Sequence, residues 1–196
     1  MGMNRQLMRT VILGGLVAIL AGNAALAIGR SAETAGATST APAHDGSHDF
    51  DFEFGSWHAH IRRLVHPLTG STEWVDYEGP SIVRPLWGGR ANLGELEVAG
   101  PAGRIEGLSL RLYNPATGQW SISWANARDG GLTQPMVGGF EQGRGEFYDA
   151  EQLDGRAIYA RFIFSGVSAH SFRLEQAFSA DGGKRWETNW VADFTR

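Results

Sequence analysis

The 196-residue chain contains no cysteine at all. That absence excludes a disulfide framework, a thiolate nucleophile, thiolate-bound metal and haem attached through a Cys-x-x-Cys-His motif. Clusters of Lys and Arg are also missing, and the formal net charge is −4. A mildly acidic surface of this kind speaks against nucleic acid and anionic membranes as partners. No apolar run reaches the ~20 residues that a membrane-spanning helix needs. From Phe50 onward no sustained helical period occurs. There is no Gly-x-Ser-x-Gly elbow, no phosphate-cradling Gly loop and no dinucleotide fingerprint leading into a helix.

What is present divides into three zones. Arg5 and Arg9 precede an apolar stretch, Thr10 to Ala21, and Ala25-Leu26-Ala27 supplies small residues at the spacing a signal peptidase accepts. This predicts a signal peptide over residues 1–27 and export to the periplasm or the medium, with no membrane attachment after cleavage. Residues 28–48 are rich in Ala, Ser, Thr and Gly and nearly devoid of large apolar side chains. Such a segment buries too little surface to offset its ordering entropy, so a flexible leader is expected there. Residues 49–196 show no further break in composition and read as one domain. Loss of residues 1–27, which carry Arg5 and Arg9 and no acid, moves the net charge from −4 to −6. Without disulfides the domain relies on its core, for which seven Trp and ten Phe are available.

Turn signals recur at short intervals through that domain: Pro67-Leu-Thr-Gly70, Asn114-Pro-Ala-Thr-Gly118, Gly143-Arg-Gly145, Asp154-Gly155 and Asp181-Gly182-Gly183. Between them lie β-patterned segments, eleven in all, of which Thr72–Glu78 and Ser81–Leu86 read as one strand bent at Gly79-Pro80. A single helical turn is expected at Asp49–Phe54. About ten strands in an open sheet would expose long edges, which closure removes. The expected fold is all-β: one antiparallel meander closed into a barrel. Several strands are apolar on both faces, as in Arg156–Ser165. That pattern suits a wall with the core on one side and a loop or partner on the other.

Gly55-Ser56-Trp57, just after an aromatic turn and at the head of the first strand, resembles the Gly-x-Trp signature of calycin-type barrels. In those barrels the Trp plugs the closed end and a basic residue from the last strand stacks across it. The resemblance assigns these structural roles to Trp57 and Arg196. More broadly, the domain is similar to a family of uncharacterised secreted bacterial proteins. The match rests on Phe50-Asp51-Phe52, Gly55, Trp57, Asn114-Pro115, Thr117-Gly118, Trp120 and the run Asp181 to Glu187, and it implies a calycin-like barrel without an established activity. Ser179-Ala-Asp181-Gly-Gly183-Lys-Arg-Trp186 resembles one sialidase Asp-box, in which the Asp caps backbone N–H groups and the Trp packs beneath. A single copy implies a stabilised hairpin, with Asp181 and Trp186 structural, because a propeller repeats the box in every blade.

Candidate chemistry is sparse. His58 and His60 share a strand face and so could meet one metal ion. If Trp57, Ala59 and Ile61 point inward, however, both histidines point out. His170 opens a strand carrying Phe172 and Leu174, and at a barrel rim it could ligate haem iron or act as a base. Carboxylates such as Glu95, Glu97, Glu146, Asp149 and Glu151 could face Arg84, Arg111, Arg161 or Arg173. Buried pairs of that kind are more often structural than catalytic. The leading expectation is a lumen that binds a small, partly apolar molecule, with Trp124, Tyr148, Arg161 and His170 as wall and rim residues and no cofactor. The first alternative is a cofactor-independent lyase, isomerase or hydrolase using a lumenal carboxylate or His as general base. The second is a haem or metal carrier through His170 or His58 and His60.

Overall fold

The computed structural model describes residues 45–196. The expected signal peptide and nearly all of the expected leader lie outside the described residues. The leader's last four residues, 45–48, are packed against the barrel: the Trp120 indole N–H donates to the Gly46 carbonyl at 2.8 Å. Burial of an indole demands a partner for its N–H, and the chain just before Phe50 supplies it.

Ten strands follow one 3-10 turn, Asp51–Glu53. They are β1 (Gly55–Leu64), β2 (Trp74–Leu86), β3 (Ala91–Gly100), β4 (Gly103–Asn114), β5 (Gln119–Asn126), β6 (Met136–Glu141), β7 (Arg144–Leu153), β8 (Arg156–Ser165), β9 (Ser171–Ser179) and β10 (Glu187–Thr195). Each pairs antiparallel with its sequence neighbours, and β1 pairs with β10 to close the ring. The closed meander expected from the sequence is therefore the fold, reached with almost no helix. β2 runs unbroken through Gly79-Pro80, as expected. A Cβ on Gly79 would stand 2.2 Å from the Glu97 carbonyl oxygen, so only glycine admits the crossing strand there.

One end of the barrel is filled. The turn before β1 inserts Phe50, fully buried, edge-on against Trp120, Phe140 and Phe164 at centroid distances of 5.0, 4.9 and 5.3 Å. Phe52 meets Phe172 at 5.2 Å. Edge-to-face packing of this kind stabilises by about 0.5–1.5 kcal/mol per pair beyond area burial. Trp57 is buried beside the turn, and its indole N–H donates to the Glu53 carbonyl at 2.7 Å. The Arg196 guanidinium lies 4.0 Å from the Trp57 ring centroid and donates to the carbonyls of Phe54 (2.8 Å) and Ala169 (2.9 Å). These contacts tie the chain's last residue to the turn that plugs the barrel.

The ring is unevenly zipped. β1 and β2 pair along the whole of Gly55–Leu64. By contrast, β5 and β6 pair only where Trp120–Ile122 meets Met136–Gly138. Beyond Ile122 the chain between these strands substitutes for the sheet, with Thr133 giving its N–H to the Trp124 carbonyl at 2.7 Å. Pro135, immediately before β6, has no N–H to extend the ladder.

Candidate functional site

Above the aromatic plug the barrel is hollow. A cavity of about 540 Å³ runs from Glu53 and Arg111 at the plug to Arg63, Ala102, Arg104, Arg128, Asp129 and Glu151 at the open end. Its wall includes Ile122, Trp124, Met136, Phe162, Leu174 and Trp190. Trp124 owes its posture to Gly107: a Cβ there would fall 2.1 Å from the indole ring. Gln176 donates to the Asn189 amide oxygen at 2.7 Å, where a register shift breaks the pairing of β9 with β10.

The floor carries charge. Glu53 follows Phe50 by one turn and so projects the same way, into the barrel. Its side chain is 1% exposed and that of Arg111 8%, with Arg111 Nη1 2.7 Å from Glu53 Oε2. The approach misses hydrogen-bond alignment, leaving Glu53 Oε2 and Arg111 Nε without hydrogen-bond partners. Arg111 Nη1 also donates to Asn92 Oδ1 at 2.9 Å. The guanidinium carbon stands 5.0 Å from the Phe50 ring centroid. Burial pushes the Glu53 carboxyl up to about 7, overcoming the opposing pull of Arg111. The same burial lowers the pKa of Arg111, while Glu53 acts to raise it. Removing two ions from water costs more than an imperfectly aligned pair returns, so the pair is held under electrostatic tension.

A second pair of acids sits on the inward side of β7. Burial, then the neighbouring Glu151, pushes Asp149 up to about 7. Burial also raises Glu151, against an opposing influence of Asp149. Glu151 lines the cavity near its mouth.

The sequence-predicted residues scatter over the molecule. Trp124 lines the cavity. Tyr148 and Arg161, expected on the lumen wall, face outward as a cross-strand pair of β7 and β8. The inward positions beside them belong to Phe147, Asp149, Ala160 and Phe162. On the outer surface the Arg161 guanidinium covers the Trp186 ring at 4.5 Å and Tyr148 meets the same ring at 6.0 Å. Tyr148 Oη donates to Glu146 Oε2 at 2.7 Å. His170, expected at the rim of the lumen, is exposed in the β8–β9 connection at the plugged end, where its carbonyl accepts the Arg196 N–H at 3.1 Å. A lumenal ligand therefore meets neither its ring nor Tyr148. His58 and His60 lie on the outer wall opposite Glu78 (3.9 Å) and Asp76 (3.1 Å). Among the described residues no group of three or more His, Asp and Glu is arranged to hold a metal ion.

Asp181 and Trp186 form a staple across the β9–β10 hairpin. Asp181 Oδ1 accepts the Arg185 N–H and the Ser179 hydroxyl, each at 2.9 Å, and Ser179 Oγ accepts the Gly183 N–H at 2.9 Å. These bonds, led by the Arg185 N–H, hold the Asp181 pKa below the usual carboxylate range.

Glu53 lies outside the expected set; the one trace of it in the sequence is a single acid between Phe52 and Phe54.

Fold and cavity together define a hollow, ten-stranded antiparallel barrel, plugged at one end. A comparable fold occurs in the S-type phycobiliprotein lyase of Guillardia theta (TM-score 0.51, 10% identity, 75% of this chain and 89% of that one). A redesigned β-barrel bound to DFHBI (TM-score 0.42, 7% identity, 74% and 99%) and a de novo fluorescence-activating β-barrel (TM-score 0.42, 11%, 76% and 97%) are more distant in shape. No protein-family model matches the chain, and no curated protein does so at significance.

Proposed function

We propose that this is an exported barrel that binds a small, partly apolar molecule in its lumen. The cavity of about 540 Å³ carries the reading. Ligand sites commonly enclose roughly 300–1,000 Å³, mostly apolar with a few convergent polar groups. Trp124, Phe162, Leu174 and Trp190 offer the apolar wall, and Glu53 with Arg111 the polar floor.

1-Aminoanthracene, a neutral fluorescent probe, tests the proposal. It should bind with tryptophan-to-probe energy transfer. Leu174→Trp, which fills the cavity from β9, should weaken binding at least tenfold while the variant still melts cooperatively. Equal affinity in Leu174→Trp and the parent would place the probe on the surface and reject the lumen as the site. Export carries its own test: amino-terminal sequencing of the mature protein should begin at Ile28, and an intact Met1 rejects it.

Glu53 favours a second reading, a cofactor-independent enzyme on the same scaffold. A buried carboxyl pushed up to about 7 stands where a general base is effective near neutrality, with Arg111 beside it to steady an anion. In the hydrolytic version, turnover of 4-nitrophenyl butyrate should rise with pH through about 7 and vanish in Glu53→Gln. A rate unchanged by that substitution removes Glu53 from any such role.

A further inference from the structure

The floor of the lumen is built around a cation that its own neighbours leave incompletely satisfied. Arg111 is more than nine-tenths buried, donates one aligned bond to Asn92, meets Glu53 off-axis and leaves Nε unpartnered. Buried polar groups are almost always hydrogen-bonded, and an orphaned guanidinium N–H points to a missing acceptor. The group already beside Arg111 shows what suits it: a carboxylate, 2.7 Å from Nη1. A planar carboxylate matches the guanidinium fork better than any neutral group.

We infer that the lumen takes a carboxylate carried on a flat apolar body, its charge against Arg111 while Glu53 takes up a proton. This rests on the lumenal-binding reading above and names the ligand class. The reasoning is electrostatic. A ligand anion beside an ionised Glu53 would place two negative charges around one buried cation. Protonating Glu53 removes that repulsion and leaves one anion to one cation. The proton comes from a solvent or buffer acid, and no bond other than this O–H changes. The Glu53 carboxyl is already near its midpoint at neutral pH, so the exchange needs little additional driving force. The alternatives fit less well. An amine would face Arg111, and an alcohol would leave the guanidinium charge uncompensated whenever Glu53 is protonated.

Arg111 is the charged group that acts on Glu53 from a neighbouring strand. The uncharged Asn92 of β3, which accepts from Arg111, and Ser109 of β4, whose hydroxyl flanks Gly94 together with Arg111 Nη1, complete the polar surroundings of the floor. Other charged groups are remote from it: Arg63, Arg104, Arg128, Asp129 and Glu151 belong to the mouth, the inward Asp149 of β7 acts with Glu151 and not with Glu53, and Glu95 lies on the outward side of β3, paired with Arg84. The mouth mixes both signs, so selection falls to the floor.

Three molecules of one shape test the inference: 2-naphthoate, 2-naphthylmethanol and 2-naphthylmethylamine, titrated calorimetrically into the purified protein. Naphthoate should bind at least tenfold more tightly than the other two at pH 6. Its affinity should fall about 30-fold between pH 6 and pH 8.5, the change set by one group titrating near 7. At pH 8, titrations in phosphate and in Tris should differ in heat by the uptake of about one proton. Glu53→Gln, which imitates the protonated acid, should bind naphthoate with nearly the same affinity at both pH values. Arg111→Leu should lose the preference for the carboxylate while still binding the alcohol. Binding of the alcohol or the amine as tightly as naphthoate, or naphthoate binding without proton uptake at pH 8, overturns the inference and leaves the lumenal reading standing. Should none of the three bind, both readings fail together.

Discussion

At the scale of single residues, two side chains separated by most of the domain organise the plugged end. Arg196 donates to the carbonyls of Phe54 and Ala169 and covers Trp57. Arg196→Met keeps the stem but removes these bonds and the cation, and should destabilise by about 1–2 kcal/mol. Chemical denaturation with an unchanged m-value checks this; a loss below a few tenths of a kcal/mol would show Arg196 to be dispensable. Trp57 and Arg196 were legible because a short motif at the first strand and a cation at the last imply each other in a closed ring. Glu53 and Arg111 were not paired from sequence. Arg111 was one of several arginines of equal standing, and the turn that brings Glu53 beneath it is placed by aromatic packing, which no spacing records.

At the scale of elements, strand number and order were readable because turns rich in Gly, Pro and Asn punctuate the chain at every corner. Facing was harder. β8 carries Tyr159, Arg161 and Ile163 on one side and Ile158, Phe162 and Phe164 on the other, so its apolar content does not identify the lumenal side. The reason is the β9–β10 hairpin. It lays Trp186 over Arg161 and Tyr148, giving the outer wall a small apolar layer of its own. Parity counted from Trp57 settled β1, where Trp57, Ala59 and Ile61 point in and His58 and His60 point out. It could not be carried across loops whose registers were unknown. β4 and β5 carry a prediction of their own. Gly107→Ala places a methyl where the Trp124 ring lies, 2.1 Å from its nearest carbons. The ring must swing, and 1-aminoanthracene affinity should drop at least fivefold with a shift in tryptophan emission. Unchanged emission and affinity would mean that the strands yield and the indole does not.

At the scale of the whole molecule, stability should depend on pH in the direction opposite to that of many proteins. Glu53 and Asp149 both rise to about 7 from ordinary values of 4.5 and 3.8. The folded chain therefore binds protons more tightly than the unfolded one, and stability must fall as pH climbs between these limits. Their contribution is present below about pH 4 and lost as pH rises through about 7. Glu146 and Asp181, whose values are lowered, act in the opposite sense only in more acid solution. The melting temperature at pH 5.5 should exceed that at pH 8 by several degrees, and Glu53→Gln with Asp149→Asn should flatten the profile. A melting temperature that climbs steadily from pH 5 to pH 8 contradicts the assignment. The abbreviated ladder between β5 and β6 sets where such a molecule breathes. A cylinder whose seams differ in length, the β5–β6 seam being the shortest, does not loosen evenly. Its slats part first at the weak edge, so deuterium should replace the Trp124 amide hydrogen, held there by the Thr133 hydroxyl in place of a strand, long before those of β1. Through that slit a guest too wide for the mouth could slip sideways into the barrel, leaving the aromatic floor undisturbed.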